Sequence, residues 1–475
     1  MSDFRNQSPW GTPPGGGGSG NGGFRKGPTP PNIDEVISKL QSIINRFLGG
    51  NSVTINGIKK LLKNQSKNIL TAIDIGSDKI VCFIAKIDEI TREKRALRVV
   101  GSGYCQSKGI RNGKVIDQKE AEKSIRLALD KAEKDANIEI NNVYVCISGD
   151  FLKSHVLKGS INIPERTIKQ EHVAEVISIT NNKYTPTNQK IIHIVPSNFF
   201  VDGTRNVTDP SGLVADKLGV ELNYITSEIN PLINIENIIK KMHLKIEGFI
   251  AKPYASGLAC LQEHELDFGS VCIDIGCGTT SISIFFEGTI VYAKTINLGG
   301  WYITNDVALG LHTSFEHAEG IKNLYGNTIM GANDSEQYYE IPNDSENTIR
   351  SKFKLSNLVS IIKYRYEEIL EKAEEVIEKS GYSEYAKRNI ILTGGTAGLP
   401  GSIELAQRVF DANVRVGLPT KIGGLSGEIS SPSFSSCSGV LIHCLKKSKK
   451  NHEAISIKSA EKIGKFFKNL MGQDF

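Results

Sequence analysis

Two short stretches carry the residue types best suited to chemistry. Residues 69–86 read ILTAIDIGSDKIVCFIAK, and residues 270–287 read SVCIDIGCGTTSISIFFE. In each, an apolar run ends in Asp-Ile-Gly, a polar turn follows, and a second apolar run completes the pattern of a β-hairpin. Asp74 and Asp274 stand at equivalent places, each at a strand end. A carboxylate there can hold hydrated Mg²⁺, which keeps most of its waters and needs only one or two carboxylates. In the first turn, Gly76 lets the backbone approach an anion, N–H groups around Ser77 can cradle phosphate oxygens, and Lys79 adds a point charge. In the second, Gly276, Gly278, Thr279 and Thr280 offer glycines and hydroxyls to the other side of the same phosphates. A third stretch, Leu392-Thr393-Gly394-Gly395-Thr396, reads as a strand entering a Gly-Gly turn that admits a base or ribose against the backbone. Taken singly, each has a plainer reading: a hairpin turn with exposed Asp and Lys, or an ordinary connection from strand to helix.

The elements around these turns alternate. The hydrophobic pattern predicts an amphipathic helix over 121–136, with Ile125, Ala128, Leu129 and Ala132 inward, and a strand over 142–149. A strand over 191–201, a helix over 235–243, a long helix over 355–381, a strand over 389–395 and a helix over 402–410 follow. The order describes an α/β protein in two similar halves, each opened by one of the hairpins.

Bulk properties narrow the classes. The chain has 475 residues, enough for two to four domains, with 39% hydrophobic and 23% charged residues. Its net charge of +5 is modest, and no nucleic-acid partner is expected. Eight cysteines form no CxxC pair, no secretory signal pattern is visible, and reduced thiols in a cytosol are expected. No zinc-ligand spacing and no run of about 18 apolar residues occurs. Residues 1–31 are dominated by Gly and Pro and read as a disordered tail. Over 32–66 an amphipathic helix and a linker are expected, the helix presenting Ile33, Val36, Ile37, Leu40, Ile43, Ile44 and Phe47 on one face. This 1–50 segment resembles the N-terminal tail of the membrane protease regulator HflK, whose following transmembrane helix has no counterpart here.

The three turns, in this order and at these separations, resemble the two phosphate loops and the adenosine loop of the actin-like ATPase superfamily. That resemblance implies an actin-like fold of two ribonuclease-H-like halves with ATP and Mg²⁺ in the cleft between them. It assigns Asp74, Gly76, Ser77, Lys79, Asp274, Gly276, Gly278, Thr279, Thr280, Gly394, Gly395 and Thr396 to the nucleotide, and Asp74 and Asp274 to the metal through water. Within the superfamily, RVVGSGYCQSKGIRNGKVIDQ, GTIVYAKTINLGGWYITNDVALGLHTSFEHAEGIKNLYG (288–326) and LTGGTAGLPGSIELAQRVFDANVRVGLP (392–419) resemble the bacterial cell-division FtsA family, over about residues 67–475. The expected boundaries are a first actin-like domain at 67–95 and 166–268, a small inserted α/β subdomain at 96–165, a second domain at 269–440 and a basic linker at 441–456.

The final segment, 457–475, is expected to be an amphipathic membrane-targeting helix. Ile463, Phe466, Phe467, Leu470 and Met471 share one face, with Lys458, Lys462, Lys465 and Lys468 outside it. Each large side chain contributes about 1.5–3 kcal/mol at most on burial, and each lysine near anionic lipid adds roughly 1 kcal/mol. Docking of this helix back onto the globular body is the alternative.

The FtsA resemblance implies an adaptor at the cytoplasmic face of the inner membrane at the division site. Its partners would be the C-terminal peptide of FtsZ, further copies of itself in a filament, later division proteins and anionic lipid. A pilus-assembly ATPase, or a small-molecule kinase on the same fold, is the alternative. Filament ATPases of this superfamily often place an acidic residue just before a proline, to orient the attacking water. Here the stretch is Ala251-Lys252-Pro253, so ATP binding with slow or absent hydrolysis is expected. Cys277 reads as a small tolerated side chain or, alternatively, an oxidisable loop thiol.

Overall fold

The structure, a computed structural model, describes residues 68–89, 91, 95–205, 207, 209–341 and 352–447. The expected helix near 33–47 and the amphipathic segment at 457–475 lie outside the described residues.

The first hairpin is β1 (Ile69–Ile75) and β2 (Lys79–Glu89), and β3 (Arg95–Gln106) continues it as an antiparallel meander. A two-residue ladder of β4 (Ile110–Arg111) and β5 (Lys114–Val115) leads to helix α1 (Gln118–Ala136). Asp117 caps α1, its carboxylate accepting from the N–H groups of Lys119 and Glu120 at 2.9 and 3.1 Å. Strands β6 (Asn142–Ile147) and, after a long excursion, β10 (Lys245–Ala251) add in parallel beyond β1. The sheet order is β10-β6-β1-β2-β3. Ile80 to Ala85 of β2 are all buried, so this strand reads as a continuous apolar run rather than an alternation.

The expected inserted unit at 96–165 falls elsewhere. Residues 95–106 pair with β2 along its full length, and α1 lies on them closely enough that a side chain on Gly103 would meet the Ala128 carbonyl at 2.0 Å. They belong to the first sheet. The separate unit is a three-stranded antiparallel sheet of β7 (Leu152–Asn162), β8 (Gln189–Val201) and β9 (Lys217–Glu228), in the order β7-β9-β8. Helix α2 (Gln170–Asn182) covers it, around a core of Ile163, Ile168, Val176, Leu218, Val220, Leu222 and Tyr224. Strand β7 pairs over all its length with β9, and that pairing excludes it from the first sheet. Helix α3 (Ile229–Lys241) starts six residues before the helix expected at 235–243.

The second half repeats the first. After helix α4 (Lys252–Cys260) come β11 (Ser270–Ile275), β12 (Thr280–Phe286) and β13 (Thr289–Ile296), again an antiparallel meander. Helices α5 (Gly300–Gly310) and α6 (Phe315–Tyr325) lead to a small hairpin of β14 (Tyr338–Glu340) and β15 (Lys352–Lys354) and then to α7 (Leu355–Lys379). Strands β16 (Asn389–Thr393) and β17 (Asn413–Val416), flanking α8 (Ser402–Phe410), join in parallel beyond β11. The order β17-β16-β11-β12-β13 matches the first sheet strand for strand.

A final helix, α9 (residues 435–447), follows the second sheet but packs into the core of the first, through Cys437, Val440, Leu441 and Cys444. Gly439 makes the approach close: a Cβ there would fall 1.8 Å from the Ala255 carbonyl oxygen of α4. The second domain, expected to run to residue 440, thus hands its last residues to the first half.

Candidate functional site

The matched sheets place matched residues. Asp74 is the penultimate residue of β1 and pairs with Val81 of the hairpin and Cys146 of the parallel neighbour. Asp274 is penultimate in β11 and pairs with Ser281 and Thr393 in the same two senses. Both turns close with the same bond, from Gly76 N–H to the Lys79 carbonyl at 3.1 Å and from Gly276 N–H to the Thr279 carbonyl at 2.9 Å. The carboxyl ends of the parallel strands converge there, where open α/β sheets bind ligands.

Between the turns lies a cavity of about 310 Å³. Asp74, Gly76, Ser77, Lys79, Asp274, Gly276, Gly278, Thr279, Gly394, Gly395 and Thr396 all line it. Thr280 is the exception. Its hydroxyl donates to the Leu298 carbonyl at 2.8 Å and its side chain is wholly buried, because successive strand residues face opposite ways and Thr279 takes the cavity side. The turns approach so nearly that a Cβ on Gly278 would meet Ser77 Oγ at 2.7 Å and Asn112 Oδ1 at 2.8 Å. At the cavity floor, Ser148 and Thr279 share a hydrogen bond of 2.8 Å between the halves.

The aspartates are deeply held. Ser436 of α9 donates to Asp74 Oδ2 at 2.5 Å, and Ser256 of α4 donates to Asp274 Oδ2 at 2.5 Å. Lys252 stands between them, with Nζ 3.5 Å from Asp74 Oδ2 and 4.0 Å from Asp274 Oδ1. Its side chain is 13% exposed, and those of Asp74 and Asp274 are 7% and 2%. Burial opposes charge on Lys252, yet Asp274 and Asp74 hold its pKa above the ordinary lysine value. Burial pushes the Asp274 carboxyl up, against the pull of Lys252 and Ser256. Asp274 Oδ1 is buried and accepts no hydrogen bond among the described residues. A hydrated metal facing the cavity would find an acceptor there. No cluster of three or more His, Cys, Asp or Glu that could ligate a metal directly occurs among the described residues.

Several lining residues escaped the sequence reading. Glu319, Lys322 and Asn323 of α6 form one wall. Lys322 Nζ bonds to Glu319 Oε2 at 2.7 Å and to Thr304 Oγ1 at 2.8 Å. Burial works against the Glu319 charge, but Lys322 and Thr304 hold its carboxyl below the usual range. The i, i+3 spacing of Glu319 and Lys322 was the available signal, but surface ion pairs share it. Lys79 leans over the Phe434 ring, 4.8 Å from its centroid; burial lowers its pKa, with Asp78 and Glu428 opposing. Outside the cavity lining, His193 of β8 accepts at Nε2 from the N–H of Ala251 at 3.0 Å, one residue before Lys252. It ties the three-stranded sheet to the turn that carries the buried lysine.

Two five-stranded sheets of one order, closing glycine turns over a shared cavity, define an actin-like fold. A solved PilM-PilN type IV pilus biogenesis complex is similar in fold, with a TM-score of 0.55 at 13% identity, covering 79% of this chain and 98% of that one. The family model described as cell division protein FtsA matches residues 271–439, and that of the SHS2 domain inserted in FtsA matches 149–226, the three-stranded unit. Cell division protein FtsA of Rhizobium meliloti is 34% identical over 392 residues, which cover 81% of this chain and 89% of that one. FtsA of Escherichia coli K12 is 27% identical over 418 residues, 86% and 98% of the two chains. The chain belongs to the FtsA family of cell-division proteins.

Proposed function

We propose that the cleft binds ATP with Mg²⁺ and that nucleotide sets the angle between the halves, and hence the contacts of a filament subunit. The observation that carries this reading is the pair of equivalent Asp-Ile-Gly turns facing each other across one cavity, with a third glycine turn at its side. Asp74 and Asp274 would hold the metal through water, and the metal would neutralise phosphate charge. Gly76, Ser77, Gly276, Gly278 and Thr279 would present backbone N–H groups and hydroxyls to the phosphates, and Gly394, Gly395 and Thr396 would flank the nucleoside.

Lys252 supports slow or absent hydrolysis. A charged ammonium cannot take a proton from an attacking water, and it stands at the start of α4 where the superfamily often carries an acid. The expected turnover is below a few ATP per minute in the purified protein; a faster rate refutes the assignment.

Membership of the family supports a role as an adaptor. The chain would bind the C-terminal peptide of FtsZ, tether those filaments to the cytoplasmic face of the membrane through residues 457–475, and recruit later division proteins. No described helix is long and apolar enough to cross a membrane. One amphipathic helix binds reversibly, and several on a filament bind firmly through avidity. Sedimentation with anionic liposomes tests this. Truncation after residue 450 is expected to release the protein, and continued sedimentation would overturn the tail's role. Binding of the FtsZ peptide without phosphoryl transfer to a small molecule would separate the adaptor from a kinase on the same fold.

A further inference from the structure

We infer that the Lys252 ammonium is a resident cation of the cleft, which covers charge that a divalent metal would otherwise have to cover and so weakens the dependence of nucleotide binding on Mg²⁺. The inference rests on the nucleotide reading above.

Three observations carry it. Lys252 Nζ lies between the two aspartates, 3.5 Å from Asp74 and 4.0 Å from Asp274. It lines the cavity, and a Cβ on Gly276 would be 3.9 Å from it, so the ammonium sits against the second glycine turn. The remaining acceptor positions are partly used, since Ser436 and Ser256 each donate to one carboxylate oxygen.

Two buried carboxylates with no cation beside them would repel both each other and a nucleotide's phosphates. A divalent ion held near both would then be needed before a polyanion could enter. With Lys252 present, one of those two negative charges is already met by a group fixed to the chain. A metal arriving with the nucleotide meets a site of lower net negative charge and gains less from it. The nucleotide, for its part, finds a cation that chelation cannot remove.

The test is equilibrium binding of ATP and ADP to the full chain, by calorimetry, in 5 mM Mg²⁺ (about that concentration) and in excess EDTA. The wild-type Kd is expected to change less than about tenfold between the two conditions. Lys252→Met, which keeps the aliphatic length and removes the charge, is expected to widen that ratio to about a hundredfold or more, mainly by weakening binding in EDTA. Lys252→Arg should keep the narrow ratio. A wild-type ratio of a hundredfold overturns the inference, and that comparison needs no variant to fold. An equal ratio in wild type and Lys252→Met also overturns it. If the wild type binds no nucleotide in either condition, the nucleotide reading itself fails, and the inference with it.

Discussion

Acid should loosen this protein at one identifiable ring. His193 is buried, and its Nε2 must stay unprotonated to accept the Ala251 N–H at 3.0 Å. Burial, with His443 and Lys447 adding positive charge nearby, pushes its pKa down to about 3 from an ordinary 6.5. Its other close neighbour is Tyr254, whose ring lies 4.8 Å away. The folded state therefore holds His193 neutral, while the unfolded chain takes up a proton as pH falls through about 6.5. The neutral ring's contribution is intact above that pH and is lost progressively as pH falls toward 3. One group with these values forfeits about 2 kcal/mol between pH 8 and pH 5, from 1.36 kcal/mol per pH unit once the unfolded form is charged. His193→Gln keeps an acceptor for the Ala251 N–H and removes the titration. Urea unfolding at pH 8 and pH 5, with hydrogen exchange of the peptide spanning 245–256, reads both effects. Wild type should lose about 2 kcal/mol more than His193→Gln on acidification. Loss of the ring itself lowers both ends alike and cancels in the comparison. An equal acid loss in the two proteins would show that other groups carry it.

Three further outcomes follow from the cleft. Gly394 has φ +90°, and a Cβ there would lie 2.5 Å from Asp274 Oδ1 and 2.6 Å from the Ile275 carbonyl oxygen. Gly394→Ala should cost about 1–3 kcal/mol in thermal or urea unfolding and abolish nucleotide binding. Gly278→Ala meets first the side-chain ends Ser77 Oγ and Asn112 Oδ1, at 2.7 and 2.8 Å, which can turn away, and then Ser77 Cβ at 3.1 Å, which must give by a few tenths of an ångström. It should leave stability within about 1 kcal/mol and weaken nucleotide binding at least about tenfold, by filling the gap between the turns. Burial pushes the Cys277 thiol up to about 12, with Asp78 adding to the effect. The thiolate is the nucleophile, so Cys277 should resist iodoacetamide at pH 7.5 in the folded protein and react once the chain is unfolded. Rapid labelling of the native protein would restore the oxidisable-thiol reading.

The paired turns were legible because their signal is local. An apolar run ending in Asp-Ile-Gly marks a strand end whether or not its neighbours are known, and eight of the expected cavity-lining residues lie in the two turns it marks; Gly394, Gly395 and Thr396 come from the separate Gly-Gly turn after β16. Thr280 falls outside the cavity lining because the sequence offers two adjacent hydroxyls and only the pleat decides which of them faces it. The inserted unit was misplaced for a similar reason. Strands β3 and β7 flank α1 and β6 in the chain, and only pairing at a distance assigns them to different sheets, β3 with β2 and β7 with β9. Lys252 was noticed as a missing acid. That its ammonium would lie between two aspartates 178 and 22 residues away along the chain depends on the convergence of strand ends, which no window of sequence contains. The contribution of α9 was hidden likewise, since Ser436 reaches Asp74 across 362 residues.

That last helix has a mechanical consequence. Residue 447 is the last described residue of α9, and the helix runs from there back to Ser436, whose hydroxyl donates to Asp74. On the way, Gly439 seats the helix backbone against Ala255 of α4, the helix that begins with Lys252. A displacement of α9 along its axis would therefore be felt at the cleft floor. Asp74 and α4 would be drawn on together, so one helix from the end of the second half couples the floor of the first turn to the element that carries Lys252.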